Sequence, residues 1–247
     1  MRQLAAALIG LCSLSFAASA ADAPVTVTTG AGYIPVVKKI VNLCKAQHNA
    51  PAAESYGGNI GQMLAQIASG SGVNLVITDK ATIDRIKPDV RFSVRQSLGT
   101  TPLVLIWKKG LTLTKPEDMK GNTVKTLALP DPKAAVYGRA GSQWVKSQKD
   151  PALEAKLMQV SGVPQVASYV VRGEVDAGFV NVSTAKQNLK KLGGMLEVTG
   201  GYQTIELQAL VVKGNEGNPN VQKFLTCLTT PEVAKVLTGA GVVPAKH

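Results

Sequence analysis

The residues of chemical consequence in this 247-residue chain are small ones, placed where strands give way to helices. Gly30 and Gly32 follow a β-type run at 25–28, and Gly57, Gly58 and Gly61 follow a short segment ending at Tyr56. A single such glycine need do no more than make a tight turn. Repeated at the same end of successive strand-helix units, they let a ligand approach the unpaired amides of a helix N-terminus, where the helix dipole favours negative charge. The chemistry implied is the holding of an anion by backbone N–H groups, with no bond made or broken.

Catalytic constellations are absent from the sequence. The two histidines, His48 and His247, have no metal-ligand spacing, which argues against a histidine-based hydrolase or a zinc enzyme. There is no Gly-x-Ser-x-Gly elbow and no phosphate-loop lysine motif. Gly30 and Gly32 lack the third glycine of a dinucleotide fingerprint, since Pro35 stands at that offset. The expectation is a binding protein with no enzymatic activity, no cofactor and no metal ion of its own, any metal arriving inside an oxyanion.

Residues 1–20 have the layout of a signal peptide. Arg2 gives the positive start, 4–16 the apolar stretch, and Ala18-Ser19-Ala20 the cleavage site, so that the mature chain begins near Ala21. That stretch is too short for a comfortable membrane span. Of three cysteines, Cys44 and Cys227 survive cleavage. Both fall in segments with helical spacing assigned to the same lobe, and in an oxidising compartment a disulfide between them is expected, two buried free thiols being the alternative. The formal charge of +11 falls to +10 when Arg2 leaves, consistent with a lysine-rich surface or with steering of anions toward a cleft. The basic pairs Lys38-Lys39, Lys108-Lys109 and Lys190-Lys191 are dispersed, and aromatic residues are only 4%. Export, scattered charge and few rings argue against a nucleic-acid partner, and the few rings against a stacked-ring sugar site.

The elements that must position these turns alternate. Strand candidates lie at 25–28, 74–78, 102–107, 126–129, 177–180 and 207–212. Helical spacing runs over 34–47, from 61 through Ile67, from Asp79 through Ile86, and over 138–146, 163–172, 183–192, 221–228 and 231–238, with Gly173 as a C-terminal cap and a short helix start at 116–119. The expected fold class is therefore α/β: two lobes, each a mostly parallel sheet flanked by helices, with a ligand cleft between them. Lobe 1 is assigned 22–99 plus 200–247, and lobe 2 residues 100–199.

Three stretches carry a family resemblance. Residues 128–140, with Pro130-Asp131-Pro132 and Tyr137-Gly138-Arg139, are similar to a strand, Asp-Pro, Pro-Tyr-Gly and helix pattern. Gly162-Val163-Pro164 leading to Gly173-Glu174-Val175-Asp176-Ala177-Gly178 resembles a helix followed by Gly-Glu-Ala-Asp-Ala-Gly and a strand. Gly61-Gln62-Met63-Leu64-Ala65-Gln66-Ile67 is similar to a Gly-x-Leu-Ala-x-Gln-Ile helix start. In order and spacing these resemble the periplasmic molybdate-binding proteins of ABC importers, over almost the whole mature chain. The resemblance implies the type II periplasmic binding protein fold, a monomer in the periplasm, a small oxyanion of the molybdate or tungstate kind as ligand, and an ABC-importer permease as partner.

It also implies a pocket built from Gly32, Asn59 or Ile60, Tyr137, Val163 and Asn181, with Tyr33 and Thr29 as nearby hydroxyls. This chain departs from the pattern at several of these positions. Gly32 and Asn59-Ile60 stand where the family has serines, Asn181 where it has a tyrosine, and Val136 where it has a proline. Backbone donors survive such changes and hydroxyl donors do not. The departures leave open a different anion, such as sulfate, a small carboxylate or a phosphorylated metabolite, and a non-transport role as adhesin or sensor. Several residues keep two roles open: Asn59 as N-cap or ligand amide, Asn181 as turn former or donor, Tyr137 as packing ring or ligand contact, and Val163 as an ordinary helix start or backbone donor. Arg139 is expected to be a solvated first-turn arginine rather than an anion partner, and Asp79 to cap the helix that follows it.

Overall fold

The computed structural model describes residues 23–57, 60–86 and 89–246. The expected signal segment at 1–20 and Asn59 lie outside the described residues.

The first sheet begins with β1 (Val25–Thr29), β2 (Ala52–Glu54) and β3 (Leu75–Asp79), which pair in parallel with β1 in the middle. Between them run α1 (Ile34–Gln47) and α2 (Ile60–Ala68), and α3 (Lys80–Ile86) follows β3 directly. In α1 the buried residues Val36, Val37, Ile40, Val41 and Cys44 recur at helical spacing, which makes one apolar stripe to lay on the sheet. Every residue of β3 is buried, as befits a strand inside a covered sheet. The sheet is completed by β4 (Phe92–Thr101), β10 (Ile205–Val212) and β11 (Val243–Pro244), all antiparallel to their neighbours, in the order β11-β4-β10-β3-β1-β2.

The second sheet is contiguous in sequence apart from its helices. It holds β5 (Leu103–Trp107), β6 (Leu127–Pro130), β7 (Leu157–Val160), β8 (Ala177–Val180) and β9 (Gly194–Val198), in the order β7-β6-β8-β5-β9. β6 pairs in parallel with β7 and β8, and β5 pairs antiparallel with β8 and β9. Its helices are α4 (Val136–Ser147), the single turn α5 (Pro151–Glu154), α6 (Val163–Arg172) and α7 (Val182–Asn188). α6 shows most plainly why such a segment folds. Val163, Val166, Ala167 and Val170 form the buried stripe, Pro164 sits in the first turn where its missing N–H costs nothing, and Gly173 ends the helix at φ 77°. The last helices, α8 (Pro219–Cys227) and α9 (Pro231–Gly239), return to the first sheet, where α9 packs on α1.

Each sheet thus has a parallel half, β2-β1-β3 or β7-β6-β8, and an antiparallel half. The main apolar core runs through both sheets, from Val25 and Leu75 to Phe179 and Val198. A smaller cluster, with Ile60, Leu64, Ile83 and Leu210, sits under α2 and α3. Cys44 on α1 and Cys227 on α8 form a disulfide with Cα atoms 5.8 Å apart. No helix among the described residues is long and apolar enough to cross a membrane.

Candidate functional site

Beyond the carboxyl ends of the parallel strands lies a cleft of about 560 Å³. One wall is the turn after β1, Gly30 to Tyr33, with Ile60 and Gln62 of α2 and Thr78 of β3. The other wall comes from the second sheet: residues 134–137 where α4 begins, and 161–165 where α6 begins. None of the described residues lining it carries a charge. A wider hollow of about 640 Å³ is formed by Asp84, Arg91, Arg95, Lys213 and neighbours on the first sheet's side alone, where Asp84 already bridges Lys80 and Arg95.

The described starts of α4, α6 and the 3-10 turn after β1, which open on the cleft, lack the side-chain caps that α5, α7, α8 and α9 carry. The first-turn amides of any helix lack an intrahelical partner and are normally met by a side chain at the N-cap. Asp150, Asn181, Asn218 and Thr230 do this for α5, α7, α8 and α9. α4 and α6 have Ala135 and Gly162 at that position and no side-chain cap bond, and the 3-10 turn Ala31–Tyr33 begins at Gly30, also without one. Three helix starts without a side-chain cap therefore line one cavity whose described residues carry no charge. Such an arrangement binds negative charge by fixed dipoles rather than by a salt bridge.

Of the residues expected at the site, Gly32, Tyr33, Ile60, Tyr137 and Val163 line this one cleft. Asn181 does not. Its amide is committed to protein: Oδ1 accepts from the Thr184 N–H at 2.8 Å, capping α7, and Nδ2 donates to the Gly32 carbonyl. It is a strut between the sheets that holds the Gly32 turn. Tyr137 is buried, its ring 5.8 Å from that of Tyr33 across the cleft. Burial holds both phenols neutral, Tyr33 well above the usual tyrosine range and Tyr137 pushed up to about 12. The Tyr33 hydroxyl is buried beside Tyr137 without a hydrogen bond of good geometry.

Arg139 overturns its sequence expectation. It is not solvated. Its Nη2 lies 2.8 Å from Asp79 Oδ2, with the two side chains 6% and 0% exposed. The same carboxylate oxygen accepts from the Thr82 N–H at 2.8 Å and the Thr82 hydroxyl at 2.9 Å, so Asp79 does cap the first turn of α3. Sequence reasoning missed this pair because the partners are 60 residues apart and sit on different sheets. It also missed Gln62, Thr78, Ser161 and Gln165 in the lining. Their only advance signal was position, at strand ends and in first helical turns. Trp144 is buried against Phe179, the packing role expected of it.

This fold and this cleft define a solute-binding protein. The sequence pattern of the family of bacterial extracellular solute-binding proteins matches residues 25–243, and the chain belongs to that family. It is a family of binding proteins rather than an enzyme class. Among individual proteins, the chain is 26% identical over 241 residues to the molybdate-binding protein ModA of Azotobacter vinelandii, covering 94% of each. In structure it is similar to the periplasmic molybdate-binding protein of Azotobacter vinelandii, with a TM-score of 0.75 at 24% identity over 90% of this chain and 100% of that one. The sulfate-binding protein SubI of Mycobacterium tuberculosis has the same fold, with a TM-score of 0.66 at 13% identity over 90% and 87%.

Proposed function

We propose that this protein is an exported, periplasmic receptor that captures a small oxyanion of the molybdate or tungstate kind and delivers it to an ABC importer. The observation that carries this reading is the convergence of uncapped helix N-termini on a cleft without charged side chains. A carboxylate or a phosphorylated metabolite is usually met by arginine or lysine, and none lines the cleft among the described residues. A compact oxyanion is satisfied by amides alone. Gly32, Tyr33, Ile60, Tyr137 and Val163 are its proposed neighbours, with Asn59, which precedes α2 in sequence, and with Asn181 acting through the Gly32 turn. Residues 22–99 with 200–247, and 100–199, are the two lobes that close on it, and the working unit is the monomer.

Sulfate is the second reading. It is tetrahedral and doubly charged like molybdate, and amide donors alone discriminate little between the two. Thermal unfolding of the mature protein against molybdate, tungstate, sulfate, phosphate and small carboxylates tests both. A ligand that binds only the folded state adds about 2.7 kcal/mol of stability at a hundredfold excess over Kd. A shift confined to molybdate and tungstate is the expected outcome. A shift with sulfate alone moves the assignment to sulfate, and a shift with carboxylates alone rejects both.

A further inference from the structure

We propose that Asp79 and Arg139 are positioning residues for the cleft, whose buried ion pair holds the two lobes against each other before any ligand arrives. Asp79 is the last residue of β3 in the first sheet, and Arg139 lies in the first turn of α4 on the second. The pair spans the molecule at the base of the cleft. Thr78, next to Asp79, lines one wall, and Val136 and Tyr137, just ahead of Arg139, line the other. Fixing Arg139 on Asp79 therefore fixes the separation of the walls and the position of the uncapped α4 amides.

Three features indicate that the pair serves this purpose rather than the stability of either lobe. A cation in the first turn of a helix opposes the helix dipole, and the side-chain bond Arg139 makes within α4, from Nη1 to Gln143 Oε1 at 3.3 Å, is longer than its 2.8 Å contact with Asp79. Asp79 is held rigidly by Thr82, which gives the arginine a fixed anchor in the first lobe. The cluster is also incompletely satisfied: Asp79 Oδ1, Arg139 Nε and the Tyr33 hydroxyl are buried without a hydrogen-bond partner of good geometry. Separating the lobes rehydrates these atoms, and that gain offsets the lost ion pair. The contact is thus strong enough to orient the lobes and balanced enough to break. The bond from Asn181 to the Gly32 carbonyl and that from Arg85 to the Lys133 carbonyl, at 2.8 Å, act across the same seam.

The role of the pair rests on the two-lobed binding reading, but the test of the tie needs no ligand. Small-angle X-ray scattering of the ligand-free mature protein gives the radius of gyration of wild type, R139Q, D79N and R139K, and calorimetric titration with molybdate gives affinity. Wild type and R139K are expected to be compact. R139Q and D79N are expected to be wider and to bind about 5- to 150-fold more weakly, the usual range for coupling between a conformational equilibrium and a site. The neutral double variant D79N/R139M, which leaves no buried charge uncompensated, is expected to recover melting temperature without recovering compactness. It decides the matter where a single variant does not fold. Equal radii in wild type and the double variant overturn the tie while leaving the proposed function standing. A compact wild type and wide variants, with no oxyanion bound by any, overturn the function while leaving the tie.

Discussion

Replacing Gly138 with alanine tests whether the α4 amides hold the ligand. Gly138 is the third residue of α4, and a Cβ built there stands 2.1 Å from the Pro130 carbonyl oxygen and 2.7 Å from that of Asp131. Both obstacles are backbone at the end of β6, so neither can swing aside. Since real Cβ contacts do not fall below 3.0 Å, the first turn of α4 must retreat by about 0.9 Å, an overpacking that costs about 1–3 kcal/mol. In a chain of this size that lowers the melting temperature by about 2–12 °C. The same retreat takes a hydrogen bond of about 2.9 Å out of range. Each hydrogen bond to a charged group is worth about 1.5–3 kcal/mol, so the loss of one weakens molybdate by about 10- to 150-fold. Calorimetric titration and a melting curve on G138A measure both. Gly239→Ala, at the exposed last residue of α9, where a Cβ meets nothing within 4 Å, is the control and is expected to leave affinity unchanged and not to lower the melting temperature. A G138A protein that melts lower but binds within twofold of wild type would refute the assignment of the α4 amides to the ligand.

Other perturbations have equally definite outcomes. Replacing both Cys44 and Cys227 with alanine opens a cross-link between residues 183 apart and should lower unfolding free energy by up to about 5 kcal/mol on the chain-entropy account, measured by denaturant titration. A loss below about 1 kcal/mol would show that the denatured chain is not what the bridge restrains. Asn181→Ala removes the α7 cap and the strut to Gly32, and should cost about 1–2 kcal/mol of stability together with oxyanion affinity. Unchanged affinity would separate the strut from the site. Burial pushes the Asp176 carboxyl up, but Lys108 at 2.6 Å and the amides of Lys125 and Thr126 outweigh this and hold it below the usual range. Its contribution to stability is therefore present above the ordinary aspartate pKa of about 3.9 and is lost as pH falls through the depressed folded value. D176N should flatten that acid limb in a melting-temperature profile, and an identical profile would count against the linkage.

The parts of the fold that could be read from sequence are those whose period is visible in one segment. The helices at 34–47 and 163–172 and the strand at 177–180 have the predicted bounds, because their buried residues recur at helical spacing or form an unbroken apolar run. β4 escaped notice because Arg95 and Gln96 interrupt its apolar residues and only three of its ten residues are buried. β7 and β9 are short edges of the second sheet, and nothing local in Leu157–Val160 or Gly194–Val198 marks them as paired. The disulfide was legible because only two cysteines remain once the signal segment is set aside. At the site, the glycine turns and helix starts were legible from residue type. The direction of the Asn181 amide and the burial of Arg139 were not, since both depend on the other sheet.

The placement of β10 also bears on how the chain is made. The second sheet draws its strands from a single stretch, 103–198, so it can assemble as soon as that stretch is free to fold. The first sheet cannot. β10 lies between β3 and β4 in its interior, and β1 to β4 have only an incomplete sheet until the last fifth of the polypeptide emerges. The N-terminal strands must wait, exposed, for a partner made near the end of synthesis. Such long-range pairing is slow, and an unpaired β3 edge is open to association with other chains in the interval. Truncation before residue 205 should therefore leave a folded central lobe carrying an aggregation-prone N-terminal arm, and the pairing of Cys44 with Cys227, which an external thiol oxidant must drive, marks the moment at which that hazard ends.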